Sequence, residues 1–227
     1  MKLKYVLLFF SLVFISGAKA QSEVEKPDFD AIASIVNDKN SASYYPRLME
    51  RFMANDSTLL LEDYRNLYYG FAMQEDYNPY RISPFAKKVN EYSSAESLDG
   101  AQCDSIIKYS TLAIGDFPFD TRSMNMLIYA FQNKGLAAQQ KIWTDKLRNI
   151  IDAVLSSGDG LSEDSPYYVI YAPHEYELIN LQGLTAKKQV LANAYTDYVT
   201  VEPNDFDVTG FYFNISKLLE AYKLKFE

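Results

Sequence analysis

His174 is the single histidine of the 227-residue chain, and it stands beside Glu175. A histidine next to an acid suits general acid–base work. The pair follows Pro173, at the expected start of a helix, where Glu175 would meet the positive end of the dipole and His174 would cap or stay exposed. No nucleophile lies at a recognisable spacing from it. One histidine also excludes multi-histidine metal sites and Ser/His/Asp triads built on any other histidine. Glu62, Asp63, Glu75 and Asp76 supply carboxylates of the kind that flank a sugar in glycosidases. Gly158-Asp159-Gly160, with Ser162, Glu163 and Asp164, offers oxygen ligands beside glycine. Its spacing fails the EF-hand pattern, and it has no lysine for a phosphate loop. It reads as a helix stop and turn. Cys103 is the only cysteine, so no disulfide forms within one chain, and no basic neighbour activates it. No metal, cofactor or catalytic residue is expected. Asp56-Ser57-Thr58 and Asp104-Ser105-Ile106 match an acid–hydroxyl–apolar acceptor for O-glycosylation, or plain capping serines.

The richest stretch runs from Asp63 to Arg81 and holds Tyr64, Tyr68, Tyr69, Tyr77 and Tyr80. Leu60, Tyr64, Leu67, Tyr68 and Phe71 recur at helical spacing, and Tyr69 and Met73 widen the apolar stripe, so this helix is expected to be buried on more than one side. After Gln74 the pattern stops, and Asn78-Pro79 signals a turn. Two readings stay open. One is a recognition surface at a helix C-terminus, made by Tyr69, Glu75, Asp76, Tyr77, Asn78, Tyr80 and Arg81, with aromatics and arginine as anchors. The other is a tyrosine-rich core helix whose hydroxyls find partners inside the protein.

LYYGFAMQEDYNPYR within this stretch resembles a family of exported bacterial proteins described as domain of unknown function 4919. SYYPRLMERFMAND at Ser43–Asp56, Gly-Asp-Gly near Gly158 and YFNIS near Tyr212 resemble the same family. The resemblance covers most of the chain beyond its leader. It implies export, and it carries no catalytic residues.

The elements that must position these residues fall into two groups. Lys2 and Lys4, the apolar run Val6–Ile15 and Ala18-Lys19-Ala20 form a secretory signal peptide over residues 1–20. Loss of Lys2, Lys4 and Lys19 with it takes the formal charge from −8 to −11. That balance argues against nucleic acid and against docking on anionic lipid. No later apolar run is long enough to cross a bilayer. Helices are expected over Pro27–Val36, Tyr44–Met53, the Tyr64 stretch, Pro84–Tyr92, and from Ala101 to Leu155 in three pieces. Ile106, Ser110, Ala113 and Pro118 suit the second helix of a tetratricopeptide repeat. Met124, Leu127, Ile128 and Phe131 suit the first helix of the next, on the 34-residue frame. Beyond the break at Ser156–Ser165, strands are expected at Tyr167–Tyr171, Gln189–Ala192, Tyr195–Val201 and Val208–Ile215, with helices at Pro173–Gln182 and Ser216–Lys223.

The expected fold is α+β and predominantly helical: N-terminal antiparallel helical hairpins, degenerate and tetratricopeptide-like, over 21–157, packed against a small C-terminal β-sheet with one or two helices over 158–227. The expected role is that of an uncharacterised exported soluble protein, periplasmic or secreted. It would act as a non-catalytic protein- or peptide-interaction module of the cell envelope. The alternative is an envelope glycan or peptidoglycan binder or hydrolase that uses the acids near the tyrosine-rich turn.

Overall fold

The computed structural model describes residues 24–92 and 98–226. The leader expected over residues 1–20 lies outside them. The described residues form two compact units, one of residues 80–149 and one of residues 24–79 with 150–226.

The 80–149 unit is helical. It contains α4 (Pro84–Asn90), α5 (Gly100–Asp116), α6 (Thr121–Asn133) and the larger part of α7 (Ala137–Leu155). Ser83 caps α4 through the Phe85 amide, and Pro84 fills its first position. Asp99 and Gln102 cap α5 reciprocally, and Asp120 caps α6 through the Ser123 amide. Val89, Cys103, Ile106, Met126 and Ala130 form its buried centre. Ile106, Ser110 and Ala113 of α5 are buried, as are Met124, Leu127, Ile128 and Phe131 of α6. Helical hairpins in general bury such positions, so this does not single out the tetratricopeptide arrangement.

The other unit is built on α3 (Leu61–Phe71), with α1 (Phe29–Asn37) and α2 (Tyr45–Met53) packed against it. Every residue of α3 from Tyr64 to Phe71 is buried. At Gly70 the packing is tight: a Cβ there would stand 3.0 Å from Val36 Cγ1 and 3.2 Å from Tyr45 Cδ2. Leu60 departs from the expected stripe. It precedes the first helical turn and is exposed, with its amide held by Asp63 Oδ2 at 2.9 Å. Buried Arg65 donates to Glu25 O at 2.8 Å and to Ser156 Oγ, which ties the chain entering α1 to the residues after α7.

A four-stranded sheet completes this unit, in the order β1 (Tyr167–Tyr168), β4 (Gly210–Asn214), β3 (Thr196–Val201), β2 (Ala186–Asn193). β1 runs parallel to β4, and the other two pairings are antiparallel. Val199, Val201, Phe211 and Phe213 are buried. The alternation of β3 and β4 leaves Tyr198 and Tyr212 on the opposite face, with ring centroids 4.6 Å apart. α8 (Pro173–Leu181) lies against β2 and β3, and α9 (Ser216–Phe226) closes the chain. The architecture is α+β with helix dominant, as the sequence indicates.

Two strands differ from expectation. β1 pairs over two residues only, where the β-rich run Tyr167–Tyr171 suggested five. β2 begins at Ala186, three residues before the expected Gln189.

Candidate functional site

The tyrosines of the α3 stretch face inward onto main chain. Tyr68 Oη accepts the Ile170 amide at 3.2 Å. Tyr77 Oη donates to Ile170 O at 2.7 Å. Tyr69 Oη lies 3.3 Å from Ala153 O and 3.4 Å from Tyr168 O. Ser157 Oγ accepts the Tyr168 amide at 2.9 Å. Side-chain hydroxyls thus take main-chain groups of Tyr168 and Ile170, while the Val169 amide between them donates to Asn214 O of β4 at 3.1 Å. Phe71 packs edge-on against Tyr77, and Phe29 against Tyr69. Burial raises the phenol pKa of Tyr68 well above its ordinary value, so the hydroxyl stays protonated.

His174 joins this set. Its Nδ1 lies 2.7 Å from Tyr68 Oη. His174 and Glu175 are both buried, contrary to the exposed or capping histidine that the sequence suggests. Pro173 starts α8, whose first turn sets His174 against Tyr68 of α3.

Glu175 is 1% exposed, and among the described residues its Oε2 has no hydrogen-bond partner. Burial first, and the charge of Asp197 second, push its carboxyl up to about 8. Asp197 is raised by burial as well, against the hydrogen bond it accepts from Gln189 Nε2 at 2.5 Å. Tyr176 Oη in turn donates to Gln189 Oε1 at 2.7 Å. At neutral pH Glu175 is therefore mostly a neutral acid, covered by a Tyr176–Gln189–Asp197 chain. Together with His174 it has acid–base ingredients, but they are closed from solvent and serve to seat α8 on α3 and β3.

The seven residues singled out as a binding surface are not one surface. Tyr69 and Tyr77 are core residues, because their hydroxyls find main-chain partners inside the unit. Glu75 and Asp76 are exposed in the turn after α3, and Asn78 is half-buried there. Tyr80 and Arg81 are exposed at the start of the other unit. The Glu75–Asp76 turn thus lacks the Tyr69 and Tyr77 ring faces on which a sugar would stack. Gly158 and Gly160 are close-approach positions. A Cβ on Gly158 would collide with Pro166 O, and one on Gly160 (φ +69°) with the Tyr167 ring. Among the described residues, no three His, Cys, Asp or Glu side chains gather to hold a metal ion. Cys103 is buried, with its thiol pushed up by burial. Asp56 is a turn residue that takes hydrogen bonds from Thr58 and Arg51, which hold its carboxyl down to about 2.

The open part of the 24–79 and 150–226 unit is the far edge of its sheet. β2 is exposed from Lys187 to Leu191 on both faces and has β3 on one side only. Large apolar and aromatic side chains surround it: Tyr176 (38% exposed), Val190 (39%), Leu191 (63%) and Tyr195 (53%). Sequence periodicity gave only Gln189–Ala192 of this strand, because a strand wet on both faces has no buried face to impose alternation. The signal that was present is the pair Val190-Leu191 followed by Tyr195, uncommitted to any core pattern.

No helix of the described residues is long and apolar enough to cross a membrane. No curated protein and no solved structure matches the chain. The family model described as Domain of unknown function (DUF4919) matches residues 30–224, a span that takes in α3, the tyrosine-held segment, α8 and all four strands; the chain belongs to that family.

Proposed function

We propose that the chain is a non-catalytic module that binds a protein or peptide partner in the bacterial cell envelope, reached through the signal peptide read at residues 1–20. One observation carries the binding reading. Tyr176, Val190, Leu191 and Tyr195 are exposed around a single strand edge, while His174, Glu175 and Asp197 are sealed in the core. Exposed apolar and aromatic groups that cluster, rather than scatter singly, mark interaction surfaces. Chemistry on a substrate needs acids or bases that a substrate can reach, and His174, Glu175 and Asp197 are buried.

The test is in-cell crosslinking of the tagged chain in its native host, followed by capture from the envelope fraction. The expected result is one specific protein partner, lost when Leu191 and Tyr195 are both changed to serine. Recovery of the chain from the cytoplasm, or capture of no protein above an untagged control, overturns the reading.

A further inference from the structure

We propose that β2 takes up an extended, acid-bearing polypeptide segment as a fifth strand of the sheet, which rests on the polypeptide-binding reading and specifies its mode and the partner's chemistry. β2 has eight residues, and its outer side faces no other strand among the described residues. Its ladder with β3 is regular from Lys188 to Leu191, with register shifts only at the two ends. The Lys188 amide and carbonyl both face β3, where they share Thr200 Oγ1 at 3.1 and 3.0 Å. Main-chain direction alternates along an antiparallel strand, so the amides and carbonyls of Gln189 and Leu191 face outward, ready to pair. An added strand gains main-chain hydrogen bonds there and side-chain contacts with Val190 and Leu191.

Charge selects the occupant. The ionisable side chains of β2 are Lys187 and Lys188 alone. Lys187 already meets Glu202 at 3.4 Å, and Lys188 is exposed. A second copy of β2 would bring lysines and no carboxylate to this edge. Edge lysines are also how sheets discourage self-pairing. A segment with an acid opposite Lys188 removes that penalty and gains a cross-strand pair.

The probe is a fluorescein-labelled eight-residue peptide alternating threonine and glutamate, with a threonine–lysine peptide as control. Both are titrated with the mature chain by fluorescence polarisation. The glutamate peptide should bind at least about tenfold more tightly. Leu191→Pro removes an outward amide at an edge position that tolerates proline, and should abolish binding with the melting temperature nearly unchanged. Lys188→Glu keeps every main-chain group and should reverse the preference between peptides. Equal binding of the two peptides, or glutamate-peptide binding indifferent to Lys188→Glu, overturns the proposal. So does a dimer in sedimentation that Leu191→Pro dissolves, since a second copy is then the occupant. If Leu191→Pro still captures its crosslinked partner in cells, strand addition fails while the binding module stands. If the unaltered chain captures nothing, both fail.

Discussion

The two edges of one sheet have been finished in opposite ways. At the β1 edge, main-chain groups of Tyr168 and Ile170 are held by the hydroxyls of Ser157, Tyr68, Tyr69 and Tyr77. At the β2 edge, eight residues pair on one side and meet solvent on the other, with Leu191 and Tyr195 exposed beside them. Both are edges in the topological sense, yet only one offers main chain to a visitor. A hydroxyl supplied from a buried helix satisfies a backbone group as completely as a neighbouring strand does, and it cannot be displaced by another chain. The closed edge is therefore part of the core, and the open edge is the one whose outward main chain meets solvent.

The contrast breaks most severely at Tyr68. Tyr68→Ala removes a fully buried ring, the acceptor of the Ile170 amide and the partner of His174. Denaturant titration should show a loss of about 3–5 kcal/mol. Glu175→Gln comes next, and its effect depends on pH. An acid held at about 8 when folded, against an ordinary value near 4.5, binds more protons folded than unfolded between those limits. Its contribution to stability therefore falls as pH rises from about 4.5 to 8, and is level outside that window. The glutamine variant should match the parent near pH 4.5 and exceed it at pH 8 by on the order of 4 kcal/mol, read from thermal melts across pH. Identical pH profiles for the two proteins would count against the sealed neutral acid. Tyr77→Phe keeps the ring packed on Phe71 and deletes the bond to Ile170 O, so it should cost about 1–2 kcal/mol. Lys188→Glu, at the open edge, should change stability by less than about 0.5 kcal/mol while altering peptide preference.

Much of this unit was legible in the sequence wherever one face is buried. The α3 stripe, the alternation of Thr196–Val201 and the core role open to a tyrosine-rich helix all follow from periodicity. Three things were not legible. The partners of the Ile170 main chain are hydroxyls from residues roughly a hundred positions away, which no local window contains. The inward turn of His174 and Glu175 reverses the usual expectation for charged residues at a helix start, because Pro173 and the packing of α8 on β3 set the direction. The true start of β2 lies in Ala186-Lys187-Lys188, residues of low strand propensity that pair because β3 is there to receive them. The expected anchors Tyr69 and Tyr77 were drawn from composition alone. Composition does not distinguish a ring that waits for a ligand from one that already has its partner.

The most direct measurement is amide hydrogen exchange on the native chain, resolved by residue. The Ile170 and Tyr168 amides should exchange only with global unfolding, because Tyr68 and Ser157 hold them. The Gln189 and Leu191 amides should exchange nearly as fast as in an unstructured peptide, and should become protected when the glutamate peptide is added. Strong protection of Gln189 and Leu191 in the free protein, or rapid exchange at Ile170, would contradict the division of the sheet into one closed edge and one open edge.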